Sequence, residues 1–133
     1  MKLLIDTNIL ISAGLFPNSV PEKALQKTLT PPNIAFLCDY SLDELVRVVR
    51  RKFPQKEKEL EIFLYKILLT AKLIHAPIEE IADEAKIRDI KDRPILRAAL
   101  EAGVDAILTG DRDFLEADIA HPKMLTAAKF LTY

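Results

Sequence analysis

Apolar residues follow two rhythms along this chain: short unbroken runs, and longer stretches in which they recur every three or four positions. The run at Lys2–Ile5 stops on Asp6-Thr7-Asn8, the form of a buried strand giving way to a turn. Ile34–Cys38 and Val104–Leu108 repeat it, the first followed by Asp39 and the second by Thr109-Gly110-Asp111. Leu73–Ala76, closed by Pro77, and a stretch around Lys123–Leu125 are shorter strand candidates. Helical spacing fills the intervals, from Asn8 to about Leu15 and from Pro21 to about Leu29. Leu42, Leu45, Val46, Val49 and Phe53 keep the i, i+3, i+4, i+7, i+11 spacing of a helix that Pro54 ends. The longest helix is expected over about Gln55–Lys72. One stripe (Leu60, Phe63, Leu64, Ile67, Leu68, Ala71) suffices to face a core, and a second (Ile62, Tyr65, Leu69) is left over. Helices at Ile78 to about Ala85, Arg93–Ala102 and near Asp113–Glu116, and a closing turn to Phe130, complete the pattern. Pro94 in a first turn and Gly103 just past an end punctuate the second of these.

Strands alternating with helices imply βαβ units, and so an α/β fold whose mainly parallel sheet is covered on both faces. At 133 residues the chain is expected to form one domain, 1–133, with no internal repeat or linker. In such a sheet the carboxyl ends of the strands form the rim where ligands gather. Asp6 and Asp111 stand on that rim. Glu44 and Asp92, at helix starts, are expected to face it as well; Asp89 is a second candidate beside Asp92, but Asp92 alone has the right position before the Ile95-Leu96 helix. Hard divalent cations suit carboxylates gathered from distant segments. Without a cation such a cluster is costly, since two carboxylates about 5 Å apart repel by on the order of 3 kcal/mol at an effective dielectric near 20.

Each acid also has a plainer role open to it. Asp6, Asp92 and Asp111 or Asp113 are placed to cap helices, and Ser41-Leu42-Asp43-Glu44 has the form of a capping box.

Composition narrows the classes. Half the residues are apolar, 29% are charged and the formal net charge is −1, so any affinity for nucleic acid must come from a local patch. A single cysteine, Cys38, allows no internal disulfide and is expected to serve as a small buried hydrophobe. Two histidines far apart make a His/Cys zinc cluster unlikely by spacing. Neither a signal-peptide layout nor an apolar stretch of about 20 residues is visible, so a cytoplasmic location away from membranes is expected.

Taken together, Asp6-Thr7-Asn8, Glu44 in Ser41-Leu42-Asp43-Glu44-Leu45, Asp92 in Lys91-Asp92-Arg93-Pro94-Ile95-Leu96, and Thr109-Gly110-Asp111-Arg112-Asp113-Phe114 resemble the PIN domain. That family consists of small metal-dependent nucleases and includes toxins of prokaryotic toxin–antitoxin pairs. The resemblance spans the whole chain in the expected order. It implies a three-layer α/β/α sandwich, a Mg²⁺ or Mn²⁺ site and endonucleolytic hydrolysis of phosphodiester bonds, most often in single-stranded RNA. It further implies catalytic, metal-holding roles for Asp6, Glu44, Asp92 and Asp111, and supporting roles for Asn8, Thr109 and Asp113. The partners it implies are RNA and an antitoxin protein.

Arg47, Arg50 and Arg51 fall at i, i+3 and i+4 on the Glu44 helix, and Lys91, Arg93 and Arg112 flank proposed ligands. Of these, Arg47, Arg51, Lys91, Arg93 and Arg112 are the expected substrate contacts through phosphate. The alternatives are a solvated polar face or, for Arg93 and Arg112, pairing with the carboxylates. Phe36, Phe53 and Phe63 lie in apolar stripes, so no aromatic stands out for base stacking. The leftover stripe on the long helix is expected either to be wedged between layers or to contact a second copy or an antitoxin segment. A non-catalytic RNA-binding or scaffold domain is the alternative function on the same fold.

Overall fold

The computed structural model describes all 133 residues. Five strands, β1 (Lys2–Ile5), β2 (Ile34–Cys38), β3 (Lys72–Ile74), β4 (Ala106–Leu108) and β5 (Lys123–Leu125), form one sheet in the order β3-β2-β1-β4-β5. Every pairing is parallel, with Leu3 opposite Ala35 on one side and Ala106 on the other.

Alternation along the strands sorts the core into two layers. Leu3, Ile5, Ala35, Leu37, Ala106 and Leu108 pack under α1 (Thr7–Leu15), α2 (Val20–Thr28), α3 (Asp39–Lys52), α4 (Glu57–Leu68) and α7 (Ala127–Phe130). On the opposite face Leu4, Phe36, Cys38 and Ile107 meet Ile95, Leu96, Ala98 and Ala99 of α5 (Arg93–Ala102) and Phe114 of α6 (Arg112–Leu115). The expected three-layer α/β/α sandwich is therefore formed. Cys38 is fully buried within it. No helix is long and apolar enough to cross a membrane.

Three elements differ from expectation. Helix α3 begins at Asp39, directly off β2, so Ser41 lies inside it and no capping box forms. Asp39 takes over the helix start: its Oδ1 accepts from Tyr40 N (2.7 Å) and Ala76 N (3.1 Å), and its Oδ2 meets His75 Nδ1 at 2.9 Å. Burial raises the Asp39 pKa, but these hydrogen bonds, led by His75, outweigh it and hold the carboxyl below its usual value.

The long helix is shorter than its pattern. A 3-10 turn at Pro54–Lys56 precedes α4, and beyond Leu68 the chain tightens, with Thr70 N and Ala71 N both reaching Ile67 O, before entering β3.

The segment from Ile78 to Ala85 is not an α-helix; only a 3-10 turn forms, at Ala82–Lys86. Arg97 explains why. Its Nη1 donates to Pro77 O (3.2 Å) and Ile78 O (3.3 Å), occupying carbonyls that a helix there would use itself. Its Nε and Nη2 hold Glu84 in a forked pair at 2.6 and 2.8 Å. That bond turns Glu84 inward and holds its carboxyl down to about 2.

Candidate active site

From β1 the chain steps outward to β2 and β3, then returns to β4 on the other side. The carboxyl ends of β1 and β4 thus flank the topological switch point, where an open α/β sheet leaves a crevice.

Asp6 stands in that crevice, 4% exposed. Its Oδ1 caps α1 by accepting from Thr7 N (2.8 Å), and its Oδ2 accepts from Thr109 Oγ1 (2.8 Å) at the end of β4. Thr109 Oγ1 in turn accepts from Asp111 N (3.0 Å), and Asp111 Oδ1 accepts from Asp113 N (2.9 Å) as the cap of α6. One chain of hydrogen bonds so ties Asp6 to Asp111 across the switch point. Burial pushes the Asp6 carboxyl up to about 6; its two hydrogen bonds oppose the shift, and the charges of Glu44 and Asp111 add to it.

Asp92 is the least satisfied member. It precedes α5, yet its side chain makes no capping bond, and its buried Oδ2 has no partner. The plain capping role is thereby excluded for this residue. Burial, then the charge of Asp111 and a hydrogen bond to it, then Asp6 and Asp89, drive its carboxyl up to about 8. Asp92 also meets Asp89 and Asp113, the three offering ligand oxygens within 4.8 Å of one another. Asp89, Asp92 and Asp113 thus form a trio of acids, and Asp92 links it to the neighbouring Asp6–Asp111 pair, whose charges it feels.

A buried oxygen without a partner among carboxylates that resist ionisation gives a cation a place to bind. The donor set, all carboxylate oxygen, fits a hard divalent ion.

The PIN domain family model matches residues 2–113. The chain belongs to the PIN domain family. No curated protein matches it in sequence. Solved structures share the fold. The VapBC2 complex of Rickettsia felis, bound to a DNA fragment from its promoter, superposes with a TM-score of 0.69 at 17% identity, covering 95% of this chain and 98% of the other. Mycobacterium tuberculosis VapC20, a toxin that cleaves the sarcin–ricin loop, gives 0.60 at 13% identity over 89% and 96%.

Around the acids of this PIN domain the cations divide. Arg47, Arg51 and Lys91 line one open cleft of about 350 Å³ together with Glu44, Val48 and Tyr40. Arg93 and Arg112 do not join them, and neither pairs with Asp6, Glu44, Asp92 or Asp111. Arg93 Nε donates to Ile87 O (3.1 Å), and Arg112 forks onto Glu116 one helical turn away. Arg50 faces outward to Glu57 at 2.7 Å. Asn8 is exposed in the first turn of α1, whereas Thr109, its companion in the expected supporting role, is the one that orients Asp6.

Two residues escaped the sequence reading. Arg88 holds Asp113 at 2.8 Å, a cation invisible to spacing because its segment has no helical period. Tyr40 is the other. Once α3 starts at Asp39, Tyr40, Glu44, Arg47 and Arg51 fall at i, i+4, i+7 and i+11 on a single face. Placing the helix start at Ser41 had hidden it.

Proposed function

We propose that this PIN domain is a cytoplasmic metal-dependent endoribonuclease that hydrolyses single-stranded RNA, the toxin of a toxin–antitoxin pair. The observation that carries the proposal is Asp92, with an unpartnered buried oxygen and a carboxyl driven up to about 8 among other acids. Family membership and the structural likeness to VapC toxins support it.

Asp6, Glu44, Asp92 and Asp111 would hold Mg²⁺ or Mn²⁺, with Asp89 and Asp113 adjoining. Such an ion, when bound, supplies charge neutralisation at the scissile phosphate and an activated water. The chain itself does the positioning. Thr109 fixes the Asp6 carboxylate by donating to Oδ2, and Thr7 N fixes the other oxygen. Asp92 keeps its proton near neutral pH and holds it toward Asp111, and its carboxylate would be one of the groups that hold the ion. Arg47, Arg51 and Lys91 bind backbone phosphates beside Glu44, which keeps the acidic site from repelling a polyanion. Arg93 and Arg112 flank the same rim.

Incubation with a labelled single-stranded oligoribonucleotide in Mg²⁺ or Mn²⁺ tests the proposal. Cleavage should stop with chelator and resume when the ion is restored. RNA binding that survives chelation, with no cleavage under either condition, would instead identify a non-catalytic RNA-binding domain.

Partners follow from the surface of α4. Ile62, Tyr65 and Leu69 are 52%, 69% and 74% exposed, so this stripe is not wedged between layers of the monomer. Two copies could close over it isologously, as the commonest small-domain dimers do, with Tyr65 as the anchor. Sedimentation should show Tyr65→Glu shifting dimer to monomer while its circular dichroism stays unchanged. A wild type that sediments as a monomer at high micromolar concentration contradicts self-association and leaves the stripe to an antitoxin segment.

A further inference from the structure

Tyr40 has no part in holding a cation, yet it is the one residue shared by two adjoining hollows. On one side lies the cationic cleft with Glu44, Arg47, Arg51 and Lys91. On the other lies an open hollow of about 310 Å³ lined by Ala76, Pro77, Ile78 and Pro94 together with Asp39, Asp43 and Arg97. The ring is half-buried and packs against the core cluster that includes α5. Its backbone N–H is taken by Asp39, while its hydroxyl has no partner in the protein. Burial raises the phenol pKa, Glu44, Asp92 and Asp89 add to the rise, and Arg47 opposes it, so the ring lies within the field of both the acids and the cations. Opposite stands Ile78, 93% exposed, an apolar side chain held open by the clasp of Arg97 on the Pro77 and Ile78 carbonyls.

A cationic cleft that opens past a half-buried aromatic into a hollow with an apolar Pro77–Ile78 side and polar groups at its margin matches the two halves of a nucleotide. Cations track the phosphates of a single strand, and an aromatic face stacks a base whatever its identity. The geometry points to a base-binding subsite between Tyr40 and the Pro77–Ile78 wall, which takes one nucleobase of single-stranded RNA adjacent to the phosphate held by Arg47, Arg51 and Lys91. It rests on the reading of this chain as an RNA-cleaving enzyme and adds where the strand lies and which residue grips a base. Because the stack forms equally in the ground and transition states, it should act on KM and leave kcat nearly unchanged.

The test combines anisotropy of a fluorescein-labelled single-stranded oligoribonucleotide in chelator, where no cleavage occurs, with steady-state cleavage in Mn²⁺. Tyr40→Phe keeps the ring and should bind within about twofold of wild type, whereas Tyr40→Leu, which keeps apolar bulk for the core, should bind roughly tenfold more weakly and raise KM to match. Ile78→Ser, on a fully solvated side chain that cannot disturb folding, should weaken binding in the same direction. Moving an abasic nucleotide along the oligomer should reveal one position at which wild type loses about tenfold and Tyr40→Leu loses nothing further. Equal loss by Tyr40→Leu on intact and abasic strands would make the residue merely structural and overturn the subsite. Wild-type affinity in Tyr40→Leu, with affinity lost in Arg47→Ala, would overturn the subsite alone and leave the nuclease reading standing. A wild type that binds the strand and never cleaves it would sink the nuclease reading while the abasic comparison still decides the subsite. Failure of wild type to bind any single strand in chelator overturns the subsite, and failure to cleave one in Mn²⁺ as well removes both.

Discussion

Asp6→Asn and Asp111→Asn should each slow RNA cleavage by a factor of about 100 or more, because loss of a ligand carboxylate removes the cation-derived stabilisation of charge on the transferring phosphate. The first substitution is the more informative. Its side-chain carbonyl can still accept from Thr7 N, so α1 keeps its cap, while its amide nitrogen can donate to Thr109 Oγ1 and so keep the link to β4 with the direction of that bond reversed. Thermal melting should therefore show the fold intact, or stabilised, where a buried charge has been removed. Rates measured on purified proteins with Mn²⁺ in excess decide the matter. Cleavage by Asp6→Asn at the wild-type rate would remove Asp6 from the site.

The metal-free protein should lose stability as the solution is made more basic, against the usual trend for carboxylates. Asp6, at about 6, and Asp92, at about 8, both titrate in the fold above the value of about 3.9 expected in an unfolded chain. Below pH 4 both states hold these protons. Above it the unfolded chain ionises freely while the fold resists, so stability drains away between about pH 4 and pH 8. For Asp6, shifted by about two units, the loss is on the order of 3 kcal/mol. That alone lowers the melting temperature by on the order of 10 °C in a domain of this size. Glu84 works in the opposite sense and outside this window. Its carboxyl, depressed to about 2, contributes stability that disappears only as the pH falls from about 4.5 through 2. Asp92→Asn should flatten much of the slope above pH 5, since the amide keeps a donor for Asp111 and cannot ionise. An apo protein equally stable at pH 5 and pH 8 would mean that the acids are not pressed together.

Where the sequence was legible, local chemistry and topology pointed the same way. Asp6 and Asp111 could be placed because each closes a short apolar run, and a parallel sheet sends every such closure to one rim. All five strands, and α5 between Pro94 and Gly103, follow from the same punctuation. What sequence could not show depended on partners distant along the chain. The segment after Ile78 has a helical pattern, but Arg97, some twenty residues on, takes its carbonyls. The Ser41–Glu44 box is well formed as a string, yet Asp39 reaches across to His75 and Ala76, just past the end of the next strand, and starts the helix two residues sooner. That shift brought Tyr40 onto the Glu44 face. Nor could sequence show that the guanidinium groups of Arg93 and Arg112 meet a backbone carbonyl and a helical neighbour rather than the carboxylates beside them.

Melting curves of wild type and Asp92→Asn at pH 7, with and without Mn²⁺, test most directly whether these carboxylates form a cation site. An ion that binds only the native state stabilises it by RT ln(1 + [L]/Kd), roughly 2.7 kcal/mol at a hundredfold excess over Kd. Wild type should therefore melt several degrees higher in Mn²⁺, and its downward slope with pH should vanish as the ion replaces the proton on Asp92. Asp92→Asn should start higher without the ion and gain little from it. Superimposable wild-type curves in Mn²⁺ and in chelator, at every pH, would contradict a metal site.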